Sequence, residues 1–173
     1  MMKALTLLIV LAVVPYFAQS QTSKKVPGIQ VSNLEGDKTL VTEHINKEGL
    51  TIINFWATWC KPCIQELDNI QKVYPNWEKE TNVKMMAMSI DEARSAVRVG
   101  PLVENKEWSF GVFLDTSNEL RKALEIDNIP HTYVLNKKGE IIWEHDSYVE
   151  GDEDKLYDFL VKESKKDKLV SEF

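Results

Sequence analysis

Along this chain, short runs of near-continuous hydrophobicity alternate with longer stretches in which apolar residues recur every three or four positions. Residues 50–57 and 83–90 are nearly unbroken apolar and β-favouring runs, as expected of strands covered on both faces. Between them Ile64, Leu67, Ile70, Tyr74 and Trp77 recur at helical spacing, and Pro62 stands where a first helical turn tolerates proline. Residues 50–90 thus read as a strand-helix-strand unit with a right-handed crossover.

The flanking segments complete the pattern. Residues 29–31 and 38–40 enclose Glu35, Gly36 and Asp37 and predict a short hairpin. Residues 92–105 predict an additional helix, broken or kinked near Gly100 and Pro101, followed by a short strand at 112–114 and a helix at 117–124. A strand at 132–135, a turn at 136–139 and a strand at 141–144 form an antiparallel hairpin. A last helix, about 152–165, carries Leu156, Phe159 and Leu160. Neither an internal repeat nor a low-complexity segment is present. The order predicts an α/β fold, a three-layer sandwich of a mixed central sheet with helices on both faces.

The N-terminus has a different pattern. Lys3 precedes an apolar run from Ala4 to Ala18, interrupted by Thr6 and containing Pro15, and a small, polar stretch follows at 19–23. This is the pattern of a secretory signal peptide, with cleavage expected between Ser20 and Gln21. At about 15 residues the run is shorter than the roughly 20 that cross a bilayer, which disfavours an uncleaved anchor. No cysteine near the cut could accept a lipid. The expected organisation is a signal peptide at 1–20, a flexible polar leader at 21–28, one domain at 29–166 and a tail at 167–173.

Charge narrows the partners. Lys3 is the only charged residue in 1–20, so the remainder carries 20 cationic and 27 acidic side chains, a formal charge of −7. Nucleic acid is excluded as an expected partner on that balance. The mixed charges at 162–168 read as a solvated helix end.

The chain has two cysteines, Cys60 and Cys63. Structural disulfides stabilise most when they close long loops, and a bridge across so few residues does little of that. Chemistry is the better reason for the pair. Cysteines at i and i+3 share one face at the start of a helix, so their sulfurs can join or separate with little backbone movement. Cys60 stands where unpaired amide hydrogens and the positive end of the helix dipole favour a thiolate, and Lys61 adds positive charge. Cys60 is therefore the expected nucleophile and Cys63 the resolving thiol. A zinc site would need further ligands from His44, His131 and His145 alone, so no metal or other cofactor is expected.

The stretch Phe55-Trp56-Ala57-Thr58-Trp59-Cys60-Lys61-Pro62-Cys63 strongly resembles the active site of thioredoxin-like proteins. A second resemblance lies at Ile129-Pro130-His131-Thr132-Tyr133. It implies a cis Ile129–Pro130 bond facing the cysteine pair and exposing the backbone of Ile129 to a substrate's extended chain. Trp59 would form part of the apolar substrate lip, with Trp56 packed beneath the site, and His131 reads as structural. Trp77, Trp108 and Trp143 read as core or partial core, and the region of Gly151 as groove lining.

Asn54 departs from cytosolic thioredoxins, which carry a buried Asp in this strand. Glu66, three residues after Cys63, offers a replacement and resembles the TlpA/ResA-like branch of secreted thioredoxin-like proteins, as do the early hairpin and the helix inserted at 92–105. The resemblance implies a secreted or periplasmic thiol-disulfide oxidoreductase that reduces disulfides of envelope or secreted proteins. It also implies a membrane redox partner that restores the reduced pair. Two rivals share the fold. A copper-binding chaperone would use Cys60, Cys63 and His131. A thiol peroxidase would carry Thr and Pro where this chain has Ala57 and Ile53.

Overall fold

The computed structural model describes residues 24–171, with side chains described as far as residue 166. The expected signal peptide lies outside the described residues.

Seven strands form one sheet, and their chain order is β1 (Gln30–Ser32), β2 (Lys38–Leu40), β3 (Thr51–Trp56), β4 (Lys84–Ser89), β5 (Gly111–Leu114), β6 (His131–Leu135) and β7 (Ile141–Asp146). Their spatial order is β2-β1-β5-β4-β3-β6-β7. β3, β4 and β5 run parallel, and β1, β2, β6 and β7 pair antiparallel. The expected mixed sheet is present. Every residue of β3 is buried, which is why its sequence shows no polar face.

The helices are α1 (Lys61–Thr81), α2 (Ala93–Ala96), α3 (Val99–Lys106), α4 (Glu119–Ala123) and α5 (Asp152–Ser171). Alternation along β3 assigns them to two faces. Asn54 and its cross-strand partner Thr132 point towards α1, where Asn54 reaches Glu66. Phe55 and Tyr133 point the other way, packed edge to face, and the Tyr133 hydroxyl donates to the carbonyl of Leu124 just after α4. α1 and α5 share the first face, where Trp77 stacks on Tyr157 at 5.7 Å and the Tyr157 hydroxyl bonds Glu80.

Three details correct the sequence reading. Residues 24–28 do not form a free leader, because Lys25 bridges to Glu140, Val26 donates its N–H to Gly139, and Val26 is buried. The inserted helix breaks at residues 97–98, ahead of Gly100 and Pro101. Pro101 falls in the first turn of α3, where its missing amide hydrogen leaves no helical bond unmade. The last helix continues to Ser171, since its Lys-rich end contains no Gly or Pro to break it. Pro75 also lies within α1, which runs through it to a left-handed cap at Asn82.

Candidate active site

The buried strand β3 ends at Trp56, and a three-residue turn carries the chain into α1. Cys60 closes this turn by donating its N–H to the carbonyl of Ala57 at 3.0 Å. Cys60 is the N-cap of α1, with extended backbone angles, and its Sγ accepts the N–H of Cys63 at 3.3 Å. One amide hydrogen of the first helical turn thus points at the sulfur, at the end of the helix where the sequence placed Cys60. Pro62 lies within that turn, where a missing N–H is tolerated.

Cys60 and Cys63 are joined as a disulfide, with Cα atoms 5.3 Å apart. Cys63 is fully buried, whereas Cys60 keeps 6 % of its surface exposed. The asymmetry places Cys60 outermost. Trp59, at 62 % exposure, stands beside it on the surface, while Trp56 is buried and packs edge to face on Trp108 at 5.0 Å. Lys61 and Pro62 are exposed.

The second expected segment meets this pair from β6. Phe55 lies opposite His131, so the preceding Ile129–Pro130 bond falls just beyond the end of β3. That bond is cis, and the Ile129 carbonyl lies 4.0 Å from Cys60 Sγ. The Pro130 carbonyl accepts the N–H of Ser147, which ties the loop after β7 to the same edge. Val149 of that loop is 70 % exposed. His131 packs against Tyr133, and burial pushes its imidazole below the ordinary value. Among the described residues, no group of three or more His, Cys, Asp or Glu side chains is arranged to hold a metal.

Glu66 lies one helical turn beyond Cys63 and is buried. Its carboxylate sits in a closed ring of three polar side chains. Asn54 Nδ2 donates to Glu66 Oε2 at 2.9 Å and to Thr132 Oγ1 at 2.7 Å, and Thr132 Oγ1 donates to Glu66 Oε1 at 3.1 Å. Burial raises the Glu66 carboxyl from 4.5 to about 7; the two hydrogen bonds oppose this, and the acids Asp152 and Glu153 at the start of α5 add to it. A carboxyl raised to about 7 changes protonation state near neutrality. The sequence reading did not single out Thr132 as a site residue. Its signal lay in the register, because Thr132 stands directly opposite Asn54.

Residues 22–144 match the AhpC/TSA family. The chain belongs to that family. Within it, the chain is similar to the thiol-disulfide oxidoreductase ResA of Bacillus cereus, at 31 % identity over 132 residues, 75 % of this chain and 73 % of the relative. It is also similar to the sporulation thiol-disulfide oxidoreductase A of Bacillus subtilis, at 32 % identity over 126 residues, 70 % of this chain and 74 % of the relative. Among solved structures, it superposes on a thioredoxin-like protein from Porphyromonas gingivalis with a TM-score of 0.70 and 37 % identity, covering 80 % of this chain and 92 % of that one. StoA from Bacillus subtilis superposes with a TM-score of 0.60 and 26 % identity, covering 76 % and 98 % of the two chains. The AhpC/TSA member described here is therefore a thioredoxin-like thiol-disulfide oxidoreductase of the ResA-like branch, the fold and branch that its sequence implied.

Proposed function

We propose that this oxidoreductase acts as a reductant of protein disulfides outside the cytosol. Supporting this reading, residues 1–20 carry the pattern of an export signal, and the redox pair stands beside the exposed Trp59 and the half-buried Ile129. The observation that carries it is the polarity of the pair, with Cys60 outermost and accepting the Cys63 N–H at the start of α1, and Cys63 buried one turn before Glu66.

In the reduced enzyme the Cys60 thiolate attacks one sulfur of a client disulfide. A Cys60–client bond forms, and the second client sulfur leaves as a thiolate. Glu66 then takes the proton of the Cys63 thiol, and the Cys63 thiolate attacks Cys60 Sγ. The client's remaining sulfur departs. The client has gained two electrons and the enzyme holds the Cys60–Cys63 disulfide, which a dithiol on a membrane redox partner would reduce again. Ile129 and Pro130 present backbone to the client's extended chain, and Trp59 supplies an apolar lip. Lys61 and Pro62 shape the N-terminus of α1 that holds the thiolate.

The test is turnover of insulin disulfides with dithiothreitol as electron source. Reduction well above the dithiothreitol background is expected. Absence of reduction, together with copper binding at sub-micromolar affinity, would replace this function with that of a copper chaperone.

A further inference from the structure

Thr58 lies two residues before Cys60, in the turn that ends β3, and it is held from the end of the neighbouring strand. Asp91, fully buried just past β4, accepts the Thr58 N–H on Oδ2 at 2.7 Å and the Thr58 hydroxyl on Oδ1 at 2.7 Å. Ser89, also fully buried, donates its hydroxyl to Asp91 Oδ2 at 3.0 Å and accepts the Asp91 N–H at 3.1 Å. The ends of the two strands are joined once more where Ile90 donates its N–H to the Trp56 carbonyl at 2.9 Å. One carboxylate thus receives three donors, two of them from a single residue of the active-site turn.

We propose that Asp91 is a positioning residue for the redox centre. By gripping both polar groups of Thr58 it fixes the turn 57–59, and so sets Cys60 on the Cys63 amide hydrogen and Trp59 on the surface beside it. Without this grip the turn retains only backbone bonds at its two ends. Cys60 Sγ would then sit less squarely on the Cys63 N–H, and its thiolate would lose part of its stabilisation. The inference rests on Cys60 being the nucleophile. It adds a residue from the loop after β4, outside both recognisable motifs, to the machinery that controls it.

The experiment uses the full mature chain, reduced, with two readouts. One is the pH midpoint of Cys60 alkylation by iodoacetamide, followed by peptide mass. The other is kcat/KM for insulin reduction. Thr58→Val leaves Asp91 and the backbone N–H in place and deletes one donor. It should raise the alkylation midpoint and lower kcat/KM about tenfold, the scale of one lost buried bond to a charged group. Thr58→Ser, which keeps the hydroxyl, should match wild type in both. Asp91→Ala should lower kcat/KM at least as far as Thr58→Val. The double variant should be no worse than Asp91→Ala alone, because the hydroxyl bond that Thr58→Val deletes ends on Asp91 and is already lost there.

A Thr58→Val protein with a lower thermal midpoint but wild-type alkylation midpoint and kcat/KM would reduce Asp91 to an ordinary loop anchor. Multiplying effects in the double variant would overturn the proposal equally. If Asp91→Ala does not fold, Thr58→Val and Thr58→Ser still decide it. The alkylation readout needs no client, so a wild-type protein inactive on insulin would count against the function while leaving the grip on Cys60 measurable.

Discussion

Cys60→Ser should abolish disulfide exchange, whereas Cys63→Ser should accumulate a mixed disulfide with its client. The two thiols are not equivalent. Cys60 Sγ is partly exposed and accepts an amide hydrogen at the helix N-terminus, while Cys63 has no exposed surface from which to meet a protein substrate. With only Cys60 present, attack proceeds and the covalent intermediate has no internal thiol to release it. With only Cys63 present, the first attack fails. Non-reducing electrophoresis and mass spectrometry of both variants, incubated with a disulfide-bonded client, report the difference. Equal trapping by the two would remove the assignment of nucleophile and resolving thiol.

The second large effect is expected at Glu66. In the wild-type protein the rate of mixed-disulfide release should rise as pH passes through about 7, because only the ionised carboxylate can take the proton of Cys63. Glu66→Gln should lose this dependence and slow release about 100-fold, at the low end for a positioned general base. An unchanged pH–rate profile would return Glu66 to a structural role.

The same group should also make stability depend on pH. The folded state holds a proton up to about 7 that the unfolded chain releases near 4.5, so stability falls as pH rises through that window. The loss is on the order of a few kcal/mol, since each pH unit corresponds to about 1.4 kcal/mol. Denaturant midpoints at pH 5 and pH 8 should differ for wild type and converge for Glu66→Gln. Gln is accommodated because Asn54 Oδ1, buried and without a hydrogen-bond partner, can accept its amide hydrogen once the Asn54 amide turns over.

How far the sequence could be read followed the range of the interactions involved. Cys60 and Cys63 were legible because their chemistry depends on local spacing, and β3 because strands buried on both faces lack alternation. Ile129–Pro130 was legible by resemblance, since its placement against Cys60 joins residues far apart in the chain. The ring of Asn54, Glu66 and Thr132 was only half visible. Asn54 and Glu66 attracted notice as a departure and its replacement, but Thr132 enters through cross-strand register, which no local pattern records. Asp91 stayed hidden for the same reason, as an acid in a loop gives no sign that it is buried on another strand's turn. The break at residues 97–98 was misplaced because Gly100 and Pro101, strong breakers inside a helix, are harmless in its first turn.

The reducing direction is the central claim, and its argument is local. A strong oxidant stabilises its reduced form through a very acidic nucleophilic thiol. Here the dipeptide between the cysteines is Lys61-Pro62, without the His that would stabilise the thiolate further, and the nearby His131 is pushed towards its neutral form by burial. The deciding measurement is the equilibrium reduction potential of the Cys60–Cys63 pair against glutathione or dithiothreitol. The account predicts a value near that of thioredoxin, about −270 mV; a value close to about −120 mV, that of a strong disulfide-forming oxidase, would contradict it.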